Sequence, residues 1–354
     1  MTPPTTTEAD PGGATPAPPN TAAEQFAKRQ HSPLQRVQHL LHSHPAISPL
    51  IVLVLSFFVF TYLNPNFGTL RTQSLILQQV AVVGALAVGQ TLIILTAGID
   101  LSVGAIAILA MLVSAKMSAD NGVSGPVAIL IGVLVGTAAG FTNGLLVTRL
   151  RLPPFIVTLG TLSIFTAMAL LYSSGQSIQA SAMPDLMTWT GEIVNIGGFR
   201  VTTGVLMVVV LYIVVGFALK QTAWGRHVYA VGNDAEAARL VGISVNRVLL
   251  SVYTLAGVIY GITAWILIGR AGAASPNAAA DANLESITAV VIGGTSLFGG
   301  RGAVLGTLLG ALIVGYFRTG LSLAGVDDQW RVLAIGALVI IAVSVDQWIR
   351  KVKA

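Results

Sequence analysis

No cysteine occurs among the 354 residues. That absence excludes structural disulfides, thiolate metal sites and cysteine nucleophiles, and five scattered histidines leave little from which to build a metal centre. Charge is scarce as well. Asp, Glu, Lys and Arg make up 9% of the chain, against about 25% in an ordinary soluble domain. Nucleotide-binding machinery is missing too: there is no Gly-x-x-x-x-Gly-Lys-[Ser/Thr], and no lysine follows a glycine anywhere, so the chain has no P-loop to cradle ATP phosphates. Neither His-Glu-x-x-His nor Gly-x-Ser-x-Gly is present, and no two carboxylates face each other within a span. Catalysis is left without a foothold.

What is present is apolar: 54% of the residues are hydrophobic, so water is not the main solvent of this chain. Residues 1–45 stand apart. Up to about residue 30 they are rich in Pro, Thr, Ala and Gly, lack the apolar run of a signal peptide and read as a disordered cytoplasmic tail. Leu34, Val37, Leu40 and Leu41 then recur near helical spacing, which predicts a short juxtamembrane helix before Pro45. From residue 46 to 354 the sequence divides into about ten apolar runs, each near the ~20 residues that cross a bilayer. The approximate spans are 46–63, 75–96, 99–117, 123–148, 155–172, 203–219, 248–269, 285–298, 303–323 and 332–349. The fold class is therefore an all-α polytopic membrane protein. The third and eighth spans have the weakest boundaries, because only Ala97-Gly98 separates the second from the third, which carries Asp100. A break at membrane depth is the alternative to two full crossings there.

Net charge is +5, but the basic residues lie between apolar spans and form no single face, so membrane orientation explains them and nucleic acid is not an expected partner. With the N-terminus inside, Arg149 and Arg151, then Lys220, Arg226, Arg239 and Arg247, then Arg301, and finally Arg350, Lys351 and Lys353 all fall on the inner side. The opposite side receives Asp120, Asp185, Glu192, Asp281, Asp327 and Asp328, with Arg71, Arg200, Arg270 and Arg331 as exceptions. Both termini are thus expected in the cytoplasm.

The chain has 38 glycines. Gly132, Gly136, Gly140 and Gly144 recur every fourth residue on the fourth span, and Gly302, Gly306 and Gly310 at the ninth, giving smooth helix faces for close approach. Such stripes serve tight packing or let helices slide. The two spans also resemble each other, Gly-Val-Leu-Val-Gly against Gly-Thr-Leu-Leu-Gly. In opposite orientations this marks either an inverted repeat or a chance match of two glycine-rich helices.

Two regions concentrate polar residues. Residues 220–247 form the longest cytoplasmic connection, in which Asp234 precedes helix-forming residues and Gly242 follows them. The capped helix there is either a plain surface element or a docking element for a soluble partner. Asp100 is either a functional intramembrane carboxylate or a cap for the third span, and Glu285 is a first-turn carboxylate of the eighth. Gln90, Asn143, Tyr253, Tyr260 and Trp265 are polar or amphipathic groups on spans, suited to a neutral polar solute or to packing.

The run Ala223-Trp224-Gly225-Arg226, continuing through Tyr229-Ala230-Val231-Gly232-Asn233 to Ala237-Ala238-Arg239-Leu240-Val241-Gly242-Ile243, resembles the cytoplasmic coupling loop of the ribose-type sugar permeases of ABC importers. Residues 95–104 (Leu-Thr-Ala-Gly-Ile-Asp-Leu-Ser-Val-Gly), 153–160 (Pro-Pro-Phe-Ile-Val-Thr-Leu-Gly) and 291–302 (Val-Ile-Gly-Gly-Thr-Ser-Leu-Phe-Gly-Gly-Arg-Gly) are similar to that family in the same order. Together these stretches make the resemblance specific from about residue 46 to the end. Residues 40–45 and 347–351 look most like fructose-importing members. The resemblance implies a type II ABC importer-like permease that works as a dimer of permease subunits, with two cytoplasmic ATPase subunits that bind ATP and Mg and an extracytoplasmic sugar-binding protein. It also implies that Asn233, Asp234, Glu236, Ala237, Ala238, Arg239 and Gly242 meet the ATPase. Val241 departs from the small polar residue common at its position. The competing class is a self-sufficient secondary carrier or channel, for which Asp100 would be the ion ligand.

Overall fold

The computed structural model describes residues 47–351 except residue 280; the tail and juxtamembrane helix expected over 1–45 lie outside them. Each of the ten expected spans falls on a helix. They are α1 (Ile47–Leu63), α2 (Leu70–Leu95), α3 (Val103–Ala119), α4 (Gly125–Arg149), α5 (Pro154–Ser173), α7 (Thr203–Gln221), α10 (Val245–Ala271), α11 (Ala282–Ile292), α12 (Val304–Leu323) and α13 (Asp328–Lys351). The remaining α-helices among the described residues are the short α6 (Asp185–Thr188) and, between α7 and α10, α8 (Ala223–Asn233) and α9 (Ala235–Leu240). Six of the ten, α2, α4, α5, α7, α10 and α12, are long and apolar enough to cross a membrane.

Among the described residues strand structure is confined to two small pairs. β1 (Ile178–Gln179) pairs antiparallel with β4 (Ala273–Ala274), and β2 (Ile193–Ile196) forms a hairpin with β3 (Phe199–Thr202) in which Ile193 lies opposite Thr202. The hairpin is tied to α2: Gln78 donates to the Arg200 carbonyl at 2.6 Å, and the Arg200 N–H donates to Ser74 Oγ at 3.1 Å.

The third and eighth spans depart from their expected bounds. Residues 99–102 are not helical, so α3 starts at Val103. The eighth span was expected to reach Phe298, but α11 stops at Ile292 because the chain leaves helical geometry at Gly294 and again in the run Gly299-Gly300-Arg301-Gly302, with φ of +82°, +81°, +69° and +148° at Gly294, Gly299, Gly300 and Gly302. At 1.5 Å per residue, 11 residues cover about 16 Å, roughly half of a ~30 Å hydrocarbon core. α11 is a half-span.

At the centre stand α2 and α10. Of their apolar windows 78% and 67% are buried, against 28% for α5 and 33% for α7. A helix apolar on all sides belongs inside such a bundle. α10 meets α4 backbone to backbone. A Cβ on Gly136 would lie 2.6 Å from the Gly257 carbonyl oxygen, and one on Gly140 would lie 2.8 Å from Gly257 Cα. Gly144 faces Tyr253 and Leu250 of the same helix, whereas Gly132 faces Ser114 and Ala110 of α3. On α12, Gly306 and Gly310 face Gly293 and Ala289 at the end of α11, while Gly302 precedes the helix and faces Thr295. Lipid offers no hydrophobic gain for bringing these helices together, so the close contact itself supplies dispersion.

The packing order repeats. α10 lies on α4 as α2 lies on α12, and α3 and α11 each run beside their successor. The matched helices α2 and α10 are antiparallel, since the C-terminus of α2 and the helix that leads into α10 meet at one end of the bundle. This is the arrangement of an inverted repeat, and the paired glycine motifs at 132–136 and 306–310 fall on its matched helices α4 and α12.

Gly140→Ala is expected to lower the thermal unfolding midpoint of the detergent-solubilised chain, at a cost of about 1–3 kcal/mol from overpacking. Gly216→Ala, on α7 with open space around its Cα, is expected to leave the midpoint unchanged or raise it slightly. Fluorescence-detected size-exclusion chromatography after heating measures both.

Candidate functional site

The polar connection between α7 and α10 is built from two helices, not the single one expected. Thr222 caps α8: its Oγ1 accepts from the Gly225 N–H at 3.1 Å and donates to the Ala218 carbonyl at 2.6 Å. Gly225, Val228, Val231 and Gly232 fall at helical spacing on the buried face, while Arg226 and His227 look outward. Trp224 Nε1 donates to Ser251 Oγ of α10 at 2.8 Å. Tyr229 Oη donates to the Gly302 carbonyl at 2.9 Å, and burial pushes that hydroxyl above the ordinary tyrosine pKa.

Asp234 then turns the chain. Its carboxylate accepts from the N–H groups of Glu236 and Ala237 at 2.9 and 3.0 Å, capping α9. Gly242 ends the helix with φ +86°, a left-handed conformation that glycine adopts without a Cβ penalty. Ala238 is buried beneath α9, and Asn233, Glu236, Ala237 and Arg239 are exposed. Glu236 and Arg239 form a 3.5 Å exposed pair, a kind worth only about 0.3–0.5 kcal/mol. Leu240 and Val241 are 88% and 77% exposed. The tip of this element is therefore an apolar pair flanked by an exposed ion pair, a surface suited to contact with another protein.

Beneath α8 three backbone segments converge. Gly232 is seated on the carbonyl of Leu95, the last residue of α2, and a Cβ there would also lie 2.7 Å from the Gly300 nitrogen. Gly300 N–H donates to that same Leu95 carbonyl at 2.9 Å. A Cβ on Gly300 would lie 2.7 Å from Asn233 Cα, and one on Gly299 would lie 2.8 Å from the Ala97 nitrogen. The two non-helical stretches, 96–102 and 293–303, thus meet under the end of α8. Nothing in the spacing of residues 223–233 announced that junction. The signal that could have found it is the glycine run at 299–302, which a full crossing helix would not tolerate.

The other predicted residues divide between two places. Asp100 is 1% exposed, and its Oδ1 accepts from Ser102 N–H and Ser102 Oγ at 2.7 and 2.6 Å, closing a turn just ahead of α3. Asn143 Nδ2 donates to Ser102 Oγ at 2.9 Å. Gln90, Tyr253 and Tyr260 are fully or almost fully buried, and their side-chain polar atoms have no hydrogen-bond partner among the described residues. Trp265 lies elsewhere: it stacks on Trp189 at 5.7 Å and donates to the Leu186 carbonyl, holding the segment that contains α6 against α10. Glu285 is also separate. It pairs with Arg318 of α12 beside a cavity of about 480 Å³. Among the described residues no group of His, Cys, Asp or Glu is placed to hold a metal ion.

Residues 73–343 match the family described as branched-chain amino acid transport system / permease component. The chain belongs to that family. It is 50% identical over 339 residues to the fructose import permease protein of Rhizobium meliloti, covering 95% of this chain and 94% of that protein. It is 36% identical over 299 residues to the ribose import permease protein of Escherichia coli (strain K12), covering 84% and 92%. To the D-allose transport system permease protein of the same organism it is 34% identical over 294 residues, covering 83% and 89%. No solved structure matches. The chain is a multi-pass membrane permease.

Asp234→Ala is expected to release two backbone donors and weaken α9 by about 1 kcal/mol, which is roughly a fivefold rise in amide exchange over 235–241. Exchange in α10 should not change.

Proposed function

We propose that this chain is the membrane-spanning subunit of an ATP-binding-cassette importer that carries a monosaccharide, fructose before ribose or xylose, across the bacterial cytoplasmic membrane. The observation that carries the reading is the junction of α8 with the end of α2 and with the 293–303 loop. A push on α8 and α9 from outside the membrane is delivered directly to the two places where the membrane helices are broken. The chain has no P-loop of its own, so the push comes from a separate cytoplasmic ATPase that binds ATP and Mg.

In this reading the end of the bundle that bears α8 and α9 is cytoplasmic, as are both termini, in keeping with Arg226, Arg239 and Arg247 on that side. The segment 220–247 is the coupling element. Asn233, Asp234, Glu236, Ala237, Ala238, Arg239 and Gly242 present or support its docking surface, with Leu240 and Val241 as apolar anchors. The hairpin and α6 segment at the other end receive an extracytoplasmic sugar-binding protein. A second copy of the chain completes the conduit, and the lipid bilayer is its solvent. Gln90, Tyr253 and Tyr260 on the central helices, with Asp100 just ahead of α3 and Asn143 on α4, are the candidates for the path. A self-sufficient carrier is disfavoured because Asp100 is already bound by Ser102 and, among the described residues, no second carboxylate joins it in a group that could hold an ion.

Glu236→Ala with Arg239→Ala is expected to reduce uptake of radiolabelled fructose at least about tenfold in cells carrying the complete transporter, if each substitution removes on the order of 1 kcal/mol of docking energy. Membrane insertion should be unchanged. Full uptake by the double variant would remove the coupling role. Proteoliposomes containing this chain alone should not accumulate the sugar, and accumulation there would favour a carrier.

A further inference from the structure

Where α4 ends and α5 and α10 begin, the turn that joins α4 to α5 faces the connection from α9 to α10 across an open cleft of about 980 Å³, within the ~300–1,000 Å³ of small-molecule sites. Three arginines stand in its wall, each from a different stretch of chain: Arg151 just after α4, Arg239 of α9 and Arg247 in the first turn of α10. Among the described residues no Asp or Glu lines it. Glu236 lies 3.5 Å from Arg239, so three positive charges meet one negative charge and the cleft keeps a surplus of two. Arg151 and Arg247 make no ion pair with any described residue. We propose that this cleft binds a phosphate group, carried by an anionic lipid headgroup or by a soluble phosphate ester; that its face of the bundle is the cytoplasmic one rests on the reading above.

Donor chemistry selects phosphate. A guanidinium is a planar fork of N–H donors that grips two oxygens at once, and three forks from three segments suit the tetrahedron of oxygens on a phosphate better than the two coplanar oxygens of a carboxylate. The backbone adds to them. α5 and α10 both begin on the cleft, at Pro154 and Val245, without a side-chain cap, whereas α4 finishes beside it at Val147 and Thr148. Each helix end carries roughly half a charge, positive at a start and negative at a finish, so the three ends together add about half a positive charge. Arg151 is the telling residue. It follows the end of α4 with φ +55°, a left-handed position that glycine fills most easily. Arg149 already gives the last turn of α4 the cation that its dipole favours, so capping does not explain a second arginine held in strain, and strained residues gather at functional sites. Nor does membrane orientation explain it, since basic residues anywhere in these loops would serve. The ends of three spans set the cleft at the depth of lipid headgroups, where basic pockets take anionic lipids. An acidic protein surface is the competing occupant, but the parts of this face most open to another protein are Leu240 and Val241, neither of which lines the cleft.

The test uses the full chain in dodecyl maltoside, a detergent without phosphate. Asn246→Cys places a single thiol on the exposed cleft wall of a chain that has no native cysteine, where an uncharged, water-soluble methanethiosulfonate reagent labels it. Inorganic phosphate, compared with chloride at equal ionic strength, should slow labelling about threefold at twice its dissociation constant, since the free fraction falls as 1 + [L]/Kd. Phosphatidylglycerol mixed into the micelles is the second arm: protection by it alone identifies a lipid headgroup, and protection by inorganic phosphate identifies a site open to soluble esters. Arg151→Gly, which relieves the left-handed backbone, and Arg247→Gln should each raise the anion needed for the same protection about tenfold without lowering the thermal unfolding midpoint. Labelling indifferent to both anions, slowed equally by chloride, or slowed as before in both variants overturns the site. Slowing only when the partner ATPase subunits are added gives the cleft to protein docking and overturns it too. Sugar uptake enters none of these readouts and a micelle opens both faces, so a negative result leaves the permease reading standing, and loss of that reading leaves the site.

Discussion

A backbone that leaves the helix inside an apolar phase must find its hydrogen bonds in protein, because lipid offers none. The described residues leave the helix at 96–102 and at 293–303, and these stretches meet that need mainly by hydrogen bonds within themselves, with one backbone bond between the two sides. The Leu95 carbonyl, orphaned at the end of α2, takes its partner from Gly300. Ser296 N–H reaches back to the Arg301 carbonyl, and Asp100 binds Ser102. The bond from Gly300 to Leu95 and the approach of Gly299 to Ala97 tie the two halves of the repeat together at one place, and Gly232 brings α8 down onto both.

From this follows the demand for glycine. Gly232, Gly299 and Gly300 approach other backbones so closely that any Cβ would collide, and the α4–α10 seam is built in the same way from Gly136, Gly140 and Gly257. Helices joined by backbone contact have few rotamers to absorb a displacement, so a movement of α8 is passed on as a movement of whole segments. The repeat supplies a second consequence. α3 and α11 occupy matched positions, but α11 is shorter by six residues, 11 against 17. The missing turns open the cavity in which Arg270, Glu285 and Arg318 gather.

Much of this was legible from residue order. The ten spans follow from apolar runs of bilayer length, and the helix at 235–240 from Asp234 ahead and Gly242 behind. The break at Asp100 was marked by a carboxylate and glycine where a span should continue. α8 was not legible, because residues 223–233 mix Gly, Arg, His and Tyr with only four buried positions, a pattern close to that of a polar loop. Of the candidate path residues, Asp100 and Asn143 are linked through Ser102, but Trp265 and Glu285 lie in other parts of the fold, since position within a span does not fix which neighbour a side chain meets.

By itself the sequence determined the solvent, the number of long apolar segments, the absence of a P-loop and the location of the polar connection, because these depend on composition and local spacing along one chain. Only the tertiary structure decided that the two helix breaks meet under α8, that α11 crosses half the membrane, and that Gln79, Arg270, Glu285 and Arg318 share one cavity. Those features arise from residues up to about 240 positions apart, Gln79 and Thr319 among them, and their proximity is set by packing and backbone hydrogen bonding, which leave no periodic trace in the chain.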